Sequence, residues 1–403
     1  MEGEGSMKKY LTLIFFAALG SASAQWQQSS TGNTAGVTHC FIENSGVLLS
    51  GGNDLGIFSS TNNGTNWTAS NTGIVPGDEI LCFGKNSAGI FAGSDSLIYF
   101  SANNGVSWSV VNNSGNSVFA LVFLSDTVYA ATMGGGVIMS TNNGSTWSAV
   151  NSGITNTSVR SIAKKGTLLF AGTIGSGVFV SANSGASWSQ LITSPTTIRS
   201  LETDGNNIYA GTPGSGMYVS SNDGVTWTQV TNGISPTNWI ISAKRIGNAL
   251  LTGLGMSGVS RSIDNGVSWT TFMTGLPTPG TFGAGSFYET ALYVFCGIEG
   301  GGMGSVFRID KNQVIAGIEA GGENISFIVF PNPTSQNATL EFSNPEKENF
   351  TFTLFDAKGD LVRTIFNIAT GEIEIEKQNL ASGLYFFLLQ SDRKAGSGKL
   401  IIE

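Results

Sequence analysis

The chain has 403 residues, 40% of them hydrophobic, which is enough for a sizeable core, yet only 11% are charged where a typical domain has about a quarter. Its 55 glycines and 9 prolines suit many short strands joined by tight turns. A net charge of −8 with no Lys/Arg-rich stripe argues against a nucleic-acid partner. Cys40, Cys82 and Cys296 are too few and too scattered for a disulfide framework or a zinc site, and they are expected as small buried core residues.

In chain order, residues 1–24 read first as a secretory signal. Lys8 and Lys9 precede an apolar run from Leu11 to Leu19, and Ala22-Ser23-Ala24 supplies small residues before Gln25. Met1 to Ser6 stand ahead of a second methionine, Met7, and are read as extra N-terminal residues. A spanning helix needs about 20 apolar residues. This run is shorter, and no other segment of the chain qualifies, so no transmembrane segment is expected in the mature chain.

From residue 25 to 313 one pattern dominates. Ser60-Thr61-Asn62-Asn63-Gly64-Thr65-Asn66-Trp67 recurs as Ser101 to Trp108, Ser140 to Trp147, Ser181 to Trp188, Ser220 to Trp227 and Ser262 to Trp269. Successive tryptophans are 41, 39, 41, 39 and 42 residues apart, and Trp26 lies 41 residues before Trp67. Each unit reads as four strands. In the unit after Trp147, Val159 to Ala163, Leu168 to Thr173 and Val178 to Ser181 are separated by turn residues at Lys165-Gly166 and Gly175 to Gly177. Repeated four-stranded units of this length predict an all-β, seven-bladed β-propeller.

Within the repeated box the third residue, Asn or, in the sixth copy, Asp264, is placed to bond backbone amides across a turn. The fifth residue (Gly64, Gly105, Gly144, Gly185, Gly224, Gly266) can take the positive φ a tight turn demands. Trp26, Trp67, Trp108, Trp147, Trp188, Trp227 and Trp269 are expected as apolar plugs between neighbouring blades. The box resembles the Asp-box, or BNR repeat, found in sialidases, some xyloglucanases, sortilin-type receptors and photosystem assembly factors, with Asn replacing Asp in five of six copies. That resemblance implies a propeller and leaves function open, because the family includes enzymes and non-enzymes. If Trp26 opens an outermost strand, the N-terminus pairs with the last three strands, about Phe282 to Ile309, and closes the ring.

Val314 to Asn324 read as a linker, and from Ile325 to Glu403 the character changes. Phe350 to Phe355 and Glu372 to Glu376 alternate with period two, as in half-buried strands, and predict a small Ig-like β-sandwich. Phe330-Pro331-Asn332-Pro333, Leu354 to Gly359, Leu380 to Phe386 (with Gly383 and Tyr385) and Lys399-Leu400-Ile401-Ile402 resemble the type A C-terminal sorting domain of the Bacteroidetes type IX secretion system. The resemblance implies the type IX machinery as a partner and passage through the outer membrane. It also implies removal of the domain, then release or attachment to surface lipopolysaccharide. In that phylum Asp-[Ser/Thr]-aliphatic triplets can carry O-glycans, and Asp95-Ser96-Leu97 and Asp126-Thr127-Val128 fit the pattern.

No catalytic residue is assigned, and neither a cofactor nor a metal is expected. The Arg-Ile-Pro motif with which sialidases of this repeat class begin is absent. Asp54, Asp78, Glu79, Asp95, Glu202, Glu289 and Glu299 are the candidate acids, in no recognisable pair; Glu79 and Glu202 read as solvated strand-end charges. His39 is the only histidine, so a His-based triad or metal cluster cannot be built. Aligning the units places His39, Leu81, Phe119, Arg160, Arg199, Ile241 and Gly285 at one level near the start of the innermost strands, on the face opposite the boxes. There Arg160 and Arg199 could grip a carboxylate or bond loop carbonyls and channel water. Trp239, off the repeat, could stack on a sugar or bury against the next blade. Two functions stay open: an exported binding or adhesion protein for a glycan or protein, and a divergent glycoside hydrolase or lyase. A photosystem-type assembly factor is a third.

Overall fold

Each box is a turn locked by its own side chains. In the first copy Ser60 Oγ accepts the Gly64 amide and donates to Asn62 Oδ1, both at 2.9 Å, and that oxygen also accepts the Asn66 amide at 2.9 Å. The same bond to the third residue recurs in the other five copies, with Asp264 accepting the Ser268 amide at 2.8 Å. The six box glycines have φ between +73° and +86°. The fourth position is left-handed as well, at +53° to +59°, in Asn63, Asn104, Asn143, Ser184, Asp223 and Asn265. Short polar residues tolerate that conformation best, and their side chains work between blades: Asn44 reaches Asn104 at 2.7 Å, Asn86 reaches Asn143 at 2.8 Å and Lys165 reaches Asp223 at 2.7 Å.

The structure, a computed structural model, describes residues 25–33, 36–53, 55–192, 194–277, 283–299, 306–315, 323–356, 361–391 and 394–403. The expected signal at 1–24 lies outside them. Among the described residues seven four-stranded antiparallel sheets precede the C-terminal domain. Their innermost strands are Thr38–Asn44, Ile80–Lys85, Val118–Leu124, Val159–Lys165, Ser200–Thr203, Ile240–Ile246 and Gly283–Glu289. Each lies against the next, and the last returns to the first, so the sheets stand as blades 1 to 7 around a common axis. Cys40, Cys82 and Cys296 are free and buried, and burial pushes the Cys82 thiol up to about 12.

Blade 7 joins the two ends of the propeller. Its first three strands are Gly283–Glu289, Tyr293–Glu299 and Val306–Asp310; its outermost is Gln27–Gln28, with Gln27 opposite Arg308 and Gln28 opposite Phe307. Trp26, 2% exposed, donates its amide to Thr274 O at 2.8 Å and its indole nitrogen to Phe272 O at 3.2 Å. Arg308 lies over the Tyr293 ring and reaches the Asn63 carbonyl of the blade 1 box. The propeller core runs on through the helix Lys311–Ile315: Val314 and Ile315 are buried with Trp26 and Phe272, beyond residue 313.

The tryptophans wedge the seams in two ways. The indoles of Trp26, Trp67, Trp108 and Trp188 donate across the seam to Phe272, Ser29, Ser70 and Val150 carbonyls, at 3.2, 2.6, 3.1 and 2.8 Å. Those of Trp147, Trp227 and Trp269 turn back to their own box glycine carbonyls at 3.0–3.1 Å. The division follows the outermost strand of the preceding blade. Where it has two residues (Gln27–Gln28, Thr68–Ala69, Ser148–Ala149, Thr270–Thr271) the acceptor lies beyond it. Where it runs three to five (Ser109–Asn113, Ser189–Leu191, Thr228–Val230) the equivalent residue is still in the strand. Five seams also place a glycine, six residues after the preceding Trp, against the next Trp backbone. At Gly32, Gly73, Gly153, Gly233 and Gly275, φ is +82° to +91° and a Cβ would fall 1.8–2.2 Å from that Trp oxygen. Between blades 2 and 3, and 4 and 5, Ser114 and Ser194 occupy this position.

The C-terminal domain is a sandwich of a five-stranded and a three-stranded sheet around Leu340, Phe350, Phe352, Leu354, Phe387, Leu389 and Leu400. Glu323–Asn324 adds an edge strand parallel to Lys394–Ile402, so the end of the expected linker belongs to this sheet. Asn332, between Pro331 and Pro333, donates to Lys399 O at 2.7 Å and accepts the Ile401 amide at 2.8 Å. The first and last sorting motifs are therefore side by side. Tyr385 donates to Ala381 O at 2.9 Å. Gly359 lies outside the described residues.

Two outcomes are expected. Gly73 and Gly115 both have positive φ, but only Gly73 faces another blade, since nothing lies within 4 Å of a Cβ at Gly115. Gly115→Ala should cost about 1–2 kcal/mol from backbone strain alone, and Gly73→Ala clearly more, read as urea midpoints; equal losses would contradict the seam contact. For Asp264, burial acts to raise the carboxyl, but donation from Ser268 and Ser262 holds it below its ordinary value. A depressed folded value stabilises the protein above the unfolded carboxylate range, about pH 4, and that contribution fades as pH falls through the folded value. Asp264→Asn, which makes the sixth box like the others, should flatten the fall in Tm below pH 4.

Candidate functional site: the bulge ring around the channel

Near the start of six innermost strands the pairing skips one residue, between Thr38 and Cys40, Ile80 and Cys82, Val118 and Ala120, Val159 and Ser161, Ile240 and Ser242, and Ala284 and Ser286. A bulge leaves its extra residue out of the ladder and re-aims the side chain. The skipped residues are His39, Leu81, Phe119, Arg160, Ile241 and Gly285. In blade 5 Arg199 precedes the strand and donates its amide to Gly211 O at 2.8 Å. Six of the seven aligned positions are therefore bulge residues near the start of their innermost strands, and Arg199 lies just before its own.

The ring is chemically divided. On blades 1 and 2, His39 Nε2 is 2.5 Å from both Asn53 Oδ1 and Glu79 Oε1. On blades 3 to 6 the character is aromatic and cationic. The Arg160 guanidinium carbon lies 3.4 Å from the centre of the Phe119 ring, a cation–π contact that orients it. Arg199 Nε is buried and, among the described residues, has no hydrogen-bond partner. Trp239 is 56% exposed, bridged to Pro213, and it accepts the Gly255 amide at 2.7 Å. Its Nε1 would be 3.3 Å from a Cβ at Gly214, so the ring rests on the glycine turn of blade 5. The Trp239 ring is thus exposed and not buried against the next blade.

Glu79 and Glu202 are not the solvated charges expected. Glu79 pairs with His39, and Glu202 Oε1 accepts Lys244 Nζ at 3.2 Å and the Arg245 amide at 3.1 Å. Both partners come from neighbouring blades about one repeat away, which is why no local pattern announced them. Asp78 accepts the Tyr99 hydroxyl at 2.5 Å, Asp95 accepts Ser117 Oγ at 3.3 Å, and Glu289 pairs with Lys311. Asp54 and the Glu299 side chain lie outside the described residues.

Further along the innermost strands, side chains pin one channel-side edge to the next. Lys85 donates to Glu43 O at 2.6 Å, Lys164 to Phe123 O at 2.7 Å and Thr203 to Lys164 O at 2.7 Å, while Tyr288 accepts the Glu43 amide at 2.9 Å. Among the described residues no cluster of three or more His, Cys, Asp or Glu side chains could hold a metal, and no helix is long and apolar enough to cross a membrane.

Residues 328–403 match the secretion system C-terminal sorting domain family. The chain therefore carries a type IX sorting domain at its C-terminus and is exported by that system. No curated protein sequence matches the chain. Among solved structures it resembles the extracellular domain of the one-component system BT4673 from B. thetaiotaomicron, at 14% identity and a TM-score of 0.57, covering 94% of this chain and 59% of that one. It also resembles YCF48 from Cyanidioschyzon merolae (14%, TM-score 0.56, 71% and 98% covered). A third is the GH74 xyloglucanase from Xanthomonas campestris (12%, TM-score 0.56, 80% and 60% covered). The chain spans about three-fifths of the BT4673 domain. At these identities the likeness concerns the fold alone.

Proposed function

We propose that this exported protein is a non-catalytic binding or adhesion protein whose bulge-ring face engages a glycan or protein partner outside the cell. One observation carries this. The candidate acids described around the propeller are each taken up by a structural partner: Glu79 by His39, Glu202 by Lys244 and Arg245, Asp78 by Tyr99, Glu289 by Lys311. Glycoside hydrolysis needs two carboxylates flanking the bond, about 5–10 Å apart. Acids tied up in this way, Glu79 and Glu202 between blades and Asp78 and Glu289 beside their own, are poorly placed for that work. What the face offers instead is guanidinium groups and an exposed indole on a rigid frame. Attachment to surface lipopolysaccharide after sorting would display that face on the cell.

The test is to incubate the purified chain with a panel of extracellular polysaccharides, measuring retention and the release of reducing ends separately. Retention without cleavage is expected, and Glu79→Gln and Glu202→Gln should change stability by about 1 kcal/mol or less without altering retention. Cleavage that disappears in either variant would establish the hydrolase reading instead.

A further inference from the structure

We infer that the partner of this face is an acidic polysaccharide, with carboxylates on its sugars, lying across blades 3 to 6. The inference rests on the binding reading and gives its ligand a chemistry. Phe119, Arg160, Arg199 and Trp239 occupy successive blades, the first three in the bulge ring and Trp239 in the loop running into the innermost strand of blade 6. The order is aromatic, cation, cation, aromatic. Arg199 and Trp239 are tied to the same strand end of blade 5, Arg199 through Gly211 and Trp239 through Pro213.

A guanidinium presents a planar fork that matches a carboxylate with two parallel hydrogen bonds. Among the described residues the Arg199 guanidinium makes no hydrogen bond, and its Nε is closed off from solvent, so a ligand carboxylate would meet its terminal nitrogens. Arg160 is steered by the Phe119 ring beneath it. An exposed indole lying on a glycine turn offers a flat apolar face, of the kind that covers the C–H side of a sugar ring. The turns beside these residues are Gly175-Ser176-Gly177 in blade 4 and Gly214-Ser215-Gly216 in blade 5. The first carries no bulky side chain of its own and the second is covered by the Trp239 ring, so a ribbon-like polymer crossing the first would run onto the indole.

Charge sharpens the case. The whole chain carries −8, so its general field opposes a polyanion, and attachment has to be local to the arginines. A polyanion held this way should be released by salt much more readily than a neutral polymer.

Sodium polygalacturonate and its fully methyl-esterified form share one backbone and differ in charge, so they are the probes. Binding of both to the full secreted chain is measured by calorimetry at low and raised salt. The acid form should bind at least tenfold more tightly at low salt, with the advantage shrinking as salt rises. Arg199→Gln and Arg160→Gln should each remove about tenfold from the acid form and leave the ester unchanged. Trp239→Ala should weaken both forms by the same factor. Lys164→Gln, a cation further along the blade 4 strand, should change neither. Equal binding of the two polymers by the unaltered chain, or arginine variants that bind like it, would overturn the inference and leave the binding reading standing; a variant that does not fold leaves the two-polymer comparison decisive. Preferential capture of an acidic peptide such as poly-glutamate over polygalacturonate would also overturn it. Cleavage of either polysaccharide would overturn the binding reading itself.

Discussion

A four-stranded sheet has two bare edges and two faces to cover, and a propeller disposes of both only if its ring is complete. Here completion depends on Gln27–Gln28, a two-residue strand laid antiparallel on Val306–Asp310. Its neighbours carry the contact. Trp26 fills the seam between blades 6 and 7, Ser29 donates to Val306 O at 2.8 Å and to the Gly64 carbonyl at 2.5 Å, and Ser29 O accepts the Trp67 indole. One short segment thereby holds blades 6, 7 and 1 together. Without it the last blade would lack its outermost strand, the seam between blades 6 and 7 would lose its plug, and the Trp67 indole would lose its acceptor.

The other seams are variations on that design. A short outermost strand frees a carbonyl for the next indole, and a glycine lets the next tryptophan backbone approach. At the seams between blades 2 and 3 and between blades 4 and 5 both devices are missing, because Ser109–Asn113 and Ser189–Leu191 run longer and serines replace the glycine. Arg160 and Arg199 stand on either side of the second of these seams. A ligand gripping both would bridge a joint that the fold itself ties less firmly.

Much of this architecture was legible because the responsible residues are chemically extreme. Tryptophans at near-constant spacing have few alternatives to burial, and Gly64 and its equivalents mark a turn for the same reason. The equivalence of His39 and Arg160 could be found by aligning repeats, since six of the seven blades start their innermost strand with the same bulge, while Arg199 lies just before its strand. The fourth box position was missed: all six copies share a left-handed backbone, with Asn in four and Ser184 and Asp223 in the others, and Asn is so common elsewhere in the repeats that it marks no single turn position. The His39–Glu79 and Glu202–Lys244 pairs were missed as well, since blade packing sets them and nothing local in the sequence marks them. The two weaker seams did leave a trace, the 39-residue spacing from Trp108 to Trp147 and from Trp188 to Trp227. Only the strand lengths give that spacing a meaning.

Function follows from the same economy of parts. Glu79 and Glu202 are used between blades, the boxes lock one end of blades 1 to 6, and Phe119, Arg160, Arg199 and Trp239 stand near the start of four successive innermost strands. The frame is fixed only as far as its ends are joined, so amide hydrogen exchange at Trp26 and Ser29 is the direct test. If the N-terminal segment closes the ring, those two amides should exchange as slowly as the innermost strand Thr38–Asn44, through global unfolding. Fast exchange at Trp26 and Ser29 while that strand stays protected would contradict the account.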